Sequence, residues 1–208
     1  YRDMPQASRI AQIAERMPGA DAAPLPLLPP QRPFRRASYT APALEQSAAD
    51  TGFAASIKPL LAADRNAEAE ALWTARSGSL SPWARSEWAQ RIAWSCYGQN
   101  DNASAWRLGM EAAKGPAGFS QGAALGAWTA GLAAFRLGRW EDAATAFDLV
   151  AEKGPREDNA AAAAYWASRA WLAAGRPELM EPRLQQAAKA LNSFYGLLAR
   201  RVLGLGQP

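Results

Sequence analysis

Four short breaks interrupt an otherwise helix-favouring sequence from residue 43 onward: "AADRNAEAEALW" around Asp64 to Asn66, "CYGQNDNASAW" at Gly98, "RLGRWEDAATAF" at Gly138 and "AAGRPELMEPRL" at Gly175. Each break carries residues suited to a turning or left-handed backbone, with one alanine-rich run before it and another after it. A short turn between two such runs predicts a helical hairpin, whose apolar stripes are buried only when neighbours pack together. The hydrophobic fraction is 49% and leans on alanine, with few β-branched residues, which favours closely packed helices over sheets. The expected fold class is all-α.

The clearest unit is "AWTAGLAAFRLGRWEDAATAFDLVAEKGP". Gly131 permits close approach of a partner helix, Gly138 suits a helix C-terminus with positive φ, Ala143 and Phe147 interlock between the two helices, and Pro155 opens the next unit. This small-large-small order resembles a tetratricopeptide-like repeat, with the early aromatic displaced to Trp128. The expected architecture is therefore an α-solenoid of helical hairpins, a superhelix with a concave surface available for contact. Ser81 followed by Pro82 predicts a capped helix start for "SPWARSEWAQRIAWSCYG", in which Trp83, Trp94 and Tyr97 are expected to share an apolar face and Trp88 to lie on another.

The first part of the chain has a different character. Ile10, Ile13 and Met17 stand at helical spacing, and Pro18-Gly19 ends the run. From 20 to 42 repeated proline fixes φ and removes backbone donors, which predicts an extended arm displaying Leu25, Leu27, Leu28 and Phe34, or else a linker. Three segments result: a short helix over 1–19, the Pro-rich arm over 20–42 and the helical repeat domain over 43–208.

Histidine is absent, which removes Ser-His-Asp and Cys-His nucleophilic sites, His-Glu-x-x-His metalloprotease sites and most zinc centres. The glycine-rich phosphate loops, Gly-x-Ser-x-Gly and Ser-x-x-Lys are missing as well. Glu87, Glu141, Asp142 and Glu157 fall at helix starts or on exposed faces, where capping and dipole effects account for them. No cofactor or metal is expected. The lone Cys96, between Trp94 and Tyr97, reads as a small buried hydrophobe. The formal charge of +4 is scattered along the chain and carried mostly by Arg, without the basic stripe interleaved with aromatics that nucleic-acid binding requires. No apolar run of about 18 residues offers a transmembrane segment. The first residue is Tyr1, so the lack of a leader says nothing about compartment.

All nine tryptophans lie between residues 73 and 171, and most are expected in the core. Trp140, just after the Gly138-Arg139 turn, is the best candidate for an exposed indole able to stack on a sugar ring, the alternative being an apolar cover over the turn. Arg139 and Arg176 complete a candidate glycan or partner surface.

Tyr165-Trp166-Ala167-Ser168-Arg169-Ala170, the Ala174-Gly175-Arg176-Pro177 turn and Ser193-Phe194-Tyr195-Gly196-Leu197-Leu198-Ala199 together resemble the closing repeats of the helical scaffold in soluble lytic murein transglycosylases of Gram-negative bacteria. The likeness covers about residues 120 to 205, with a weaker segment in "DMPQASRIAQIAERMPGA". Phe194, Tyr195, Leu197, Leu198 and Val202 are apolar on more than one face, and Gly196 suits a close crossing, so this junction helix is expected to be buried between neighbours. Arg200 and Arg201 are expected to reach solvent or acidic groups near the helix end. The resemblance implies a periplasmic scaffold preceding a lysozyme-like domain, which cleaves peptidoglycan glycan strands to 1,6-anhydromuramic products through a Glu-Ser-x-Phe glutamate. No Glu-Ser dipeptide occurs here, so no family catalytic residue maps onto this sequence, and the chain alone is expected to be non-catalytic. Glycan strands, through the parent enzyme, and other cell-wall proteins are the implied partners. The alternative is a stand-alone tetratricopeptide-like adaptor that binds a peptide or protein.

Overall fold

The computed structural model describes residues 7–14, 16, 48–115, 121–154 and 157–206. The chain divides into two units, Tyr1–Leu44 and Glu45–Pro208. The first is described mainly through α1 (Ala7–Ala14), on which Ile10 and Ile13 are exposed. Met17, the Pro-rich arm over 20–42 and Pro155 lie outside the described residues.

The second unit consists of α2 (Ala48–Ala62), α3 (Asn66–Arg76), α4 (Pro82–Gly98), α5 (Asn102–Ala113), α6 (Gln121–Arg136), α7 (Trp140–Lys153), α8 (Glu157–Ala173), α9 (Met180–Ala187) and α10 (Phe194–Val202), with 3-10 turns at Ser77–Ser79 and Pro177–Leu179. It is all-helical among the described residues. Each helix from α2 to α9 packs on the next; α4 also packs on α6, and α10 on both α8 and α9.

One local device recurs between successive paired helices. Asp64, Asn100, Gly138 and Gly175 have φ of 57°, 65°, 70° and 74°, and about 37 residues separate each from the next. In every case the following residue donates its N–H to the carbonyl five residues back, at 2.9 Å: Arg65 to Leu60, Asp101 to Cys96, Arg139 to Ala134 and Arg176 to Trp171. This is the Schellman closure, which satisfies a carbonyl that the helix end leaves without a partner. The same following residue then opens the next element, as N-cap of α3, α5, α7 and the Pro177–Leu179 turn. Asp101 caps with its side chain, accepting from the Ser104 N–H at 3.1 Å, whereas Arg65 and Arg139 reach forward to pair with Glu68 and Asp142. The second break differs from the sequence expectation in one detail. Helix α4 continues through Gly98, and the left-handed position is Asn100, a residue type that tolerates this conformation.

Backbones approach where side chains vanish. A Cβ on Gly126 would stand 2.5 Å from the Ala112 Cβ, and one on Gly109 would stand 2.5 Å from the Gly126 carbonyl oxygen, so α5 and α6 meet almost without a side-chain layer. One turn further along α6, a Cβ on Gly131 would meet the Phe147 ring at 2.6 Å; the ring fills that gap and is completely buried, as is Ala143. Only Gln121, Leu125, Trp128, Leu132, Phe135 and Arg136 of α6 escape burial, a single stripe along one side.

Helix α4 turns a different face inward from the one expected. Trp88, Ala89, Ile92, Ala93 and Cys96 enter the core, with Trp88 edge-on to Phe53 at a centroid distance of 6.0 Å, while Trp83 and Trp94 are 40% and 52% exposed. The reason is packing: Ser86 Oγ donates to the Ala112 carbonyl at 2.7 Å, anchoring against α5 the side of α4 that carries Ser86, Ala89 and Ala93, and such small side chains suit a close seam. The start of α4 follows the expected rule, with Ser81 Oγ accepting from the Ala84 N–H at 3.2 Å and Pro82 in the first turn. Burial pushes the Cys96 thiol up to about 11, so it is protonated at neutral pH and acts as a packing group.

Candidate functional site

The turn residues singled out in the sequence are held by their own neighbours. Trp140 is half-buried, edge-on to Phe135 at 4.8 Å, and covers the Gly138 turn. It therefore takes the covering role instead of the exposed one. Arg139 pairs with Asp142 at 2.7 Å, and its guanidinium lies 3.7 Å over the Trp106 ring. Arg176 pairs with Glu178 at 2.5 Å; that hydrogen bond and its charge, with a further pull from Glu141, raise the Arg176 pKa. Arg139 and Arg176 thus stand at two of the left-handed turns, paired and with about half of each side chain exposed.

Helix α10 also departs from expectation. Ser193 caps it, accepting from the Gly196 N–H at 2.9 Å, and a Cβ on Gly196 would collide with the Ala190 carbonyl oxygen, which is the close approach that the glycine was expected to allow. That contact and buried Ala199 seat one side only. Tyr195 and Leu198 are half-buried, whereas Phe194 is 72% exposed and Leu197 and Val202 are exposed too. A helix with apolar residues on several faces buries whichever face lets its backbone come closest, here the one carrying glycine and alanine. Arg200 folds back to donate to the Gly206 carbonyl at 3.0 Å, so its partner is main chain and not an acidic group.

A different surface gathers the chemistry. On α4, Trp83, Glu87, Gln90, Trp94 and Tyr97 follow one another at helical spacing. Trp94 stacks on Tyr97 with centroids 5.6 Å apart and planes 25° from parallel. Across to α6, the Arg136 guanidinium lies 3.7 Å over the Tyr97 ring and donates to the Tyr97 carbonyl at 3.2 Å. Further along α6, Leu125 and Trp128 line a cleft of about 90 Å³ with Val150 of α7 and Asn159 and Ala162 of α8. Helix α8 then contributes Tyr165, tilted on Tyr195 at 5.6 Å, and Trp166, whose indole N–H donates to the Tyr195 hydroxyl at 3.4 Å. Tyr97 of α4 is thus in contact with α6, Tyr165 and Trp166 of α8 with α10, and the cleft joins α6, α7 and α8.

The acidic residues do not form a catalytic pair. Glu87 pairs with Arg91 at 2.8 Å, Asp142 with Arg139, and Glu141 and Glu157 are exposed. Among the described residues no group of three His, Cys, Asp or Glu side chains is placed to hold a metal, and no helix is long and apolar enough to cross a membrane.

One partly buried carboxylate does stand apart. Asp148 of α7 accepts from the Trp171 indole N–H at 3.1 Å and from Arg183 at 3.0 Å, clamping α7, α8 and α9 together, with Glu152 on the same guanidinium. Burial pushes the Asp148 carboxyl above its ordinary value, against the opposing pull of Trp171 and Arg183. The folded chain then holds this proton more tightly than the unfolded chain, so the stability contributed here is greatest at low pH and is lost as pH rises through the raised value. Asp148→Asn removes that loss: denaturant titrations between about pH 4 and pH 7 should find the variant gaining on the parent as pH rises. Parallel profiles would contradict it.

No protein-family model matches this sequence, and it matches no curated protein and no solved structure.

Proposed function

We propose that residues 43–208 form an α-solenoid of tetratricopeptide-like hairpins serving as the non-catalytic scaffold of a periplasmic lytic murein transglycosylase. It would orient a peptidoglycan-cleaving module and contact glycan strands. The observation that carries this is the aromatic strip of α4, with exposed Trp83 and Trp94 beside polar Glu87 and Gln90, a composition suited to sugar rings. The recurrent left-handed turns supply the repeat, and Ser193 to Ala199 supply the likeness to the family.

Co-sedimentation with insoluble peptidoglycan tests the proposal. Retention is expected, and it should persist at about 1 M salt, where the screening length falls to roughly 3 Å while stacking is unaffected. Loss of all retention at every salt concentration would overturn it; clearing of sacculi suspensions by this chain alone would overturn its non-catalytic part. A second reading, an adaptor that binds a peptide or protein, draws on the apolar cleft of Leu125, Trp128, Val150 and Ala162. It predicts retention that requires protein on the sacculi and disappears once they are stripped with detergent and protease.

A further inference from the structure

We infer that the outer side of α4 is a carbohydrate subsite, in which Trp94 and Trp83 form two stacking platforms for an extended chain of pyranose rings and Glu87 and Gln90 face ring substituents between them. The inference rests on the glycan-contacting scaffold proposed above and names its residues.

Trp83 and Trp94 are eleven residues apart. That interval is close to three helical turns, so both indoles stand on one side of α4, about 16 Å apart along its axis. The second platform is ordered despite its exposure. Tyr97 supports the Trp94 ring, and Arg136 holds Tyr97 from α6 at 3.7 Å. An indole oriented before the ligand arrives loses little freedom on binding, which is the property of residues that dominate recognition surfaces.

The composition of the strip selects the ligand. Single-stranded nucleic acid needs aromatic platforms together with a groove of available positive charge. Here Arg91 is paired with Glu87 at 2.8 Å and leans over the Trp88 ring at 4.9 Å, and Arg136 is occupied by Tyr97. A peptide helix needs aliphatic pockets for its anchor side chains. Between the two indoles this side of α4 offers Glu87, Gln90 and Arg91, all polar. Alternating C–H faces and polar edges, as in a chain of amidated sugars, match indole faces separated by a carboxylate, a primary amide and a guanidinium.

Titration of the whole chain with chitohexaose, a soluble β-1,4-linked N-acetylglucosamine oligomer, reads the subsite through tryptophan fluorescence and calorimetry. Saturable binding is expected, weakened about tenfold by Trp94→Ala and measurably by Trp83→Ala, with Trp94→Phe retaining part of it. Both positions are exposed, and circular dichroism would verify that the variants keep the parent's helix content. Absence of binding to the parent at millimolar oligomer, or equal binding by parent and both alanine variants, would overturn the subsite. Sacculi separate the two levels. Parent and variants sedimenting alike would overturn the α4 subsite and leave the scaffold proposal standing, while failure of the parent itself to sediment would remove both.

Discussion

Phe147→Ala should destabilise the helical unit by about 3–5 kcal/mol, the range for removing a fully buried phenylalanine that leaves a cavity. For a chain of this size that corresponds to a fall in the thermal midpoint of about 6–20 °C, read by circular dichroism. Phe147 justifies the upper part of the range because several elements depend on it: its ring occupies the gap left by Gly131, receives Trp128 edge-on at 5.3 Å and lies 6.2 Å from the Trp166 ring. The same pairing yields a sharper outcome. Gly131→Ala alone drives a methyl into the ring and should destabilise by about 1–3 kcal/mol, whereas in a Phe147→Leu background part of that penalty should disappear, because the smaller side chain leaves room. Strict additivity of the two changes would show that the rest of the core, and not this contact, sets the separation of α6 and α7.

Gly126→Leu is the second large effect, and it acts by overfilling instead of emptying. Even a single carbon at this position meets Ala112 at 2.5 Å, and the Gly109 carbonyl oxygen lies 2.8 Å from the same point. Neither neighbour is the free end of a flexible side chain, so α5 and α6 must separate. Separation also loosens the α4 contact, because α6 packs on α4 as well. We expect a loss of about 3 kcal/mol or more, at the upper end for inserted volume, and a broadened thermal transition as the unit ceases to melt together. Substitution at solvent-facing Gly98, where an added methyl meets nothing within 4 Å, supplies the control: Gly98→Ala should be neutral or slightly stabilising. Similar losses at both positions would refute the close-contact account.

These contrasts explain which features could be read from the sequence. The turns at Asp64, Gly138 and Gly175 were legible because a left-handed backbone position restricts residue type locally, without reference to a partner. That Gly131 would admit a partner helix and that Phe147 would interlock between the helices was legible too; that the Phe147 ring is what fills the Gly131 gap was not. The facing of α4 was not. Trp83, Trp88, Trp94 and Tyr97 surround that helix, and spacing alone permits more than one buried side. The Ala112 carbonyl that anchors the buried side is 26 residues from its donor, Ser86. The same difficulty hides the exposed side of α10, and it hides the Asp148 clamp, whose members come from three helices and have no common local pattern.

Every substantial helix contact in the second unit joins elements that are neighbours or next-but-one along the chain. Assembly therefore closes only short loops, each with a small entropic penalty. Such sequence-local topology belongs to the fast end of the folding spectrum, and it has a directional corollary during synthesis. The α4–α5–α6 group can take its final packing as soon as Arg136 has emerged, before α8 to α10 exist. A lesion near the C-terminal end should then leave the earlier helices folded, whereas one at the α5–α6 contact disturbs the surface on which later helices are laid down.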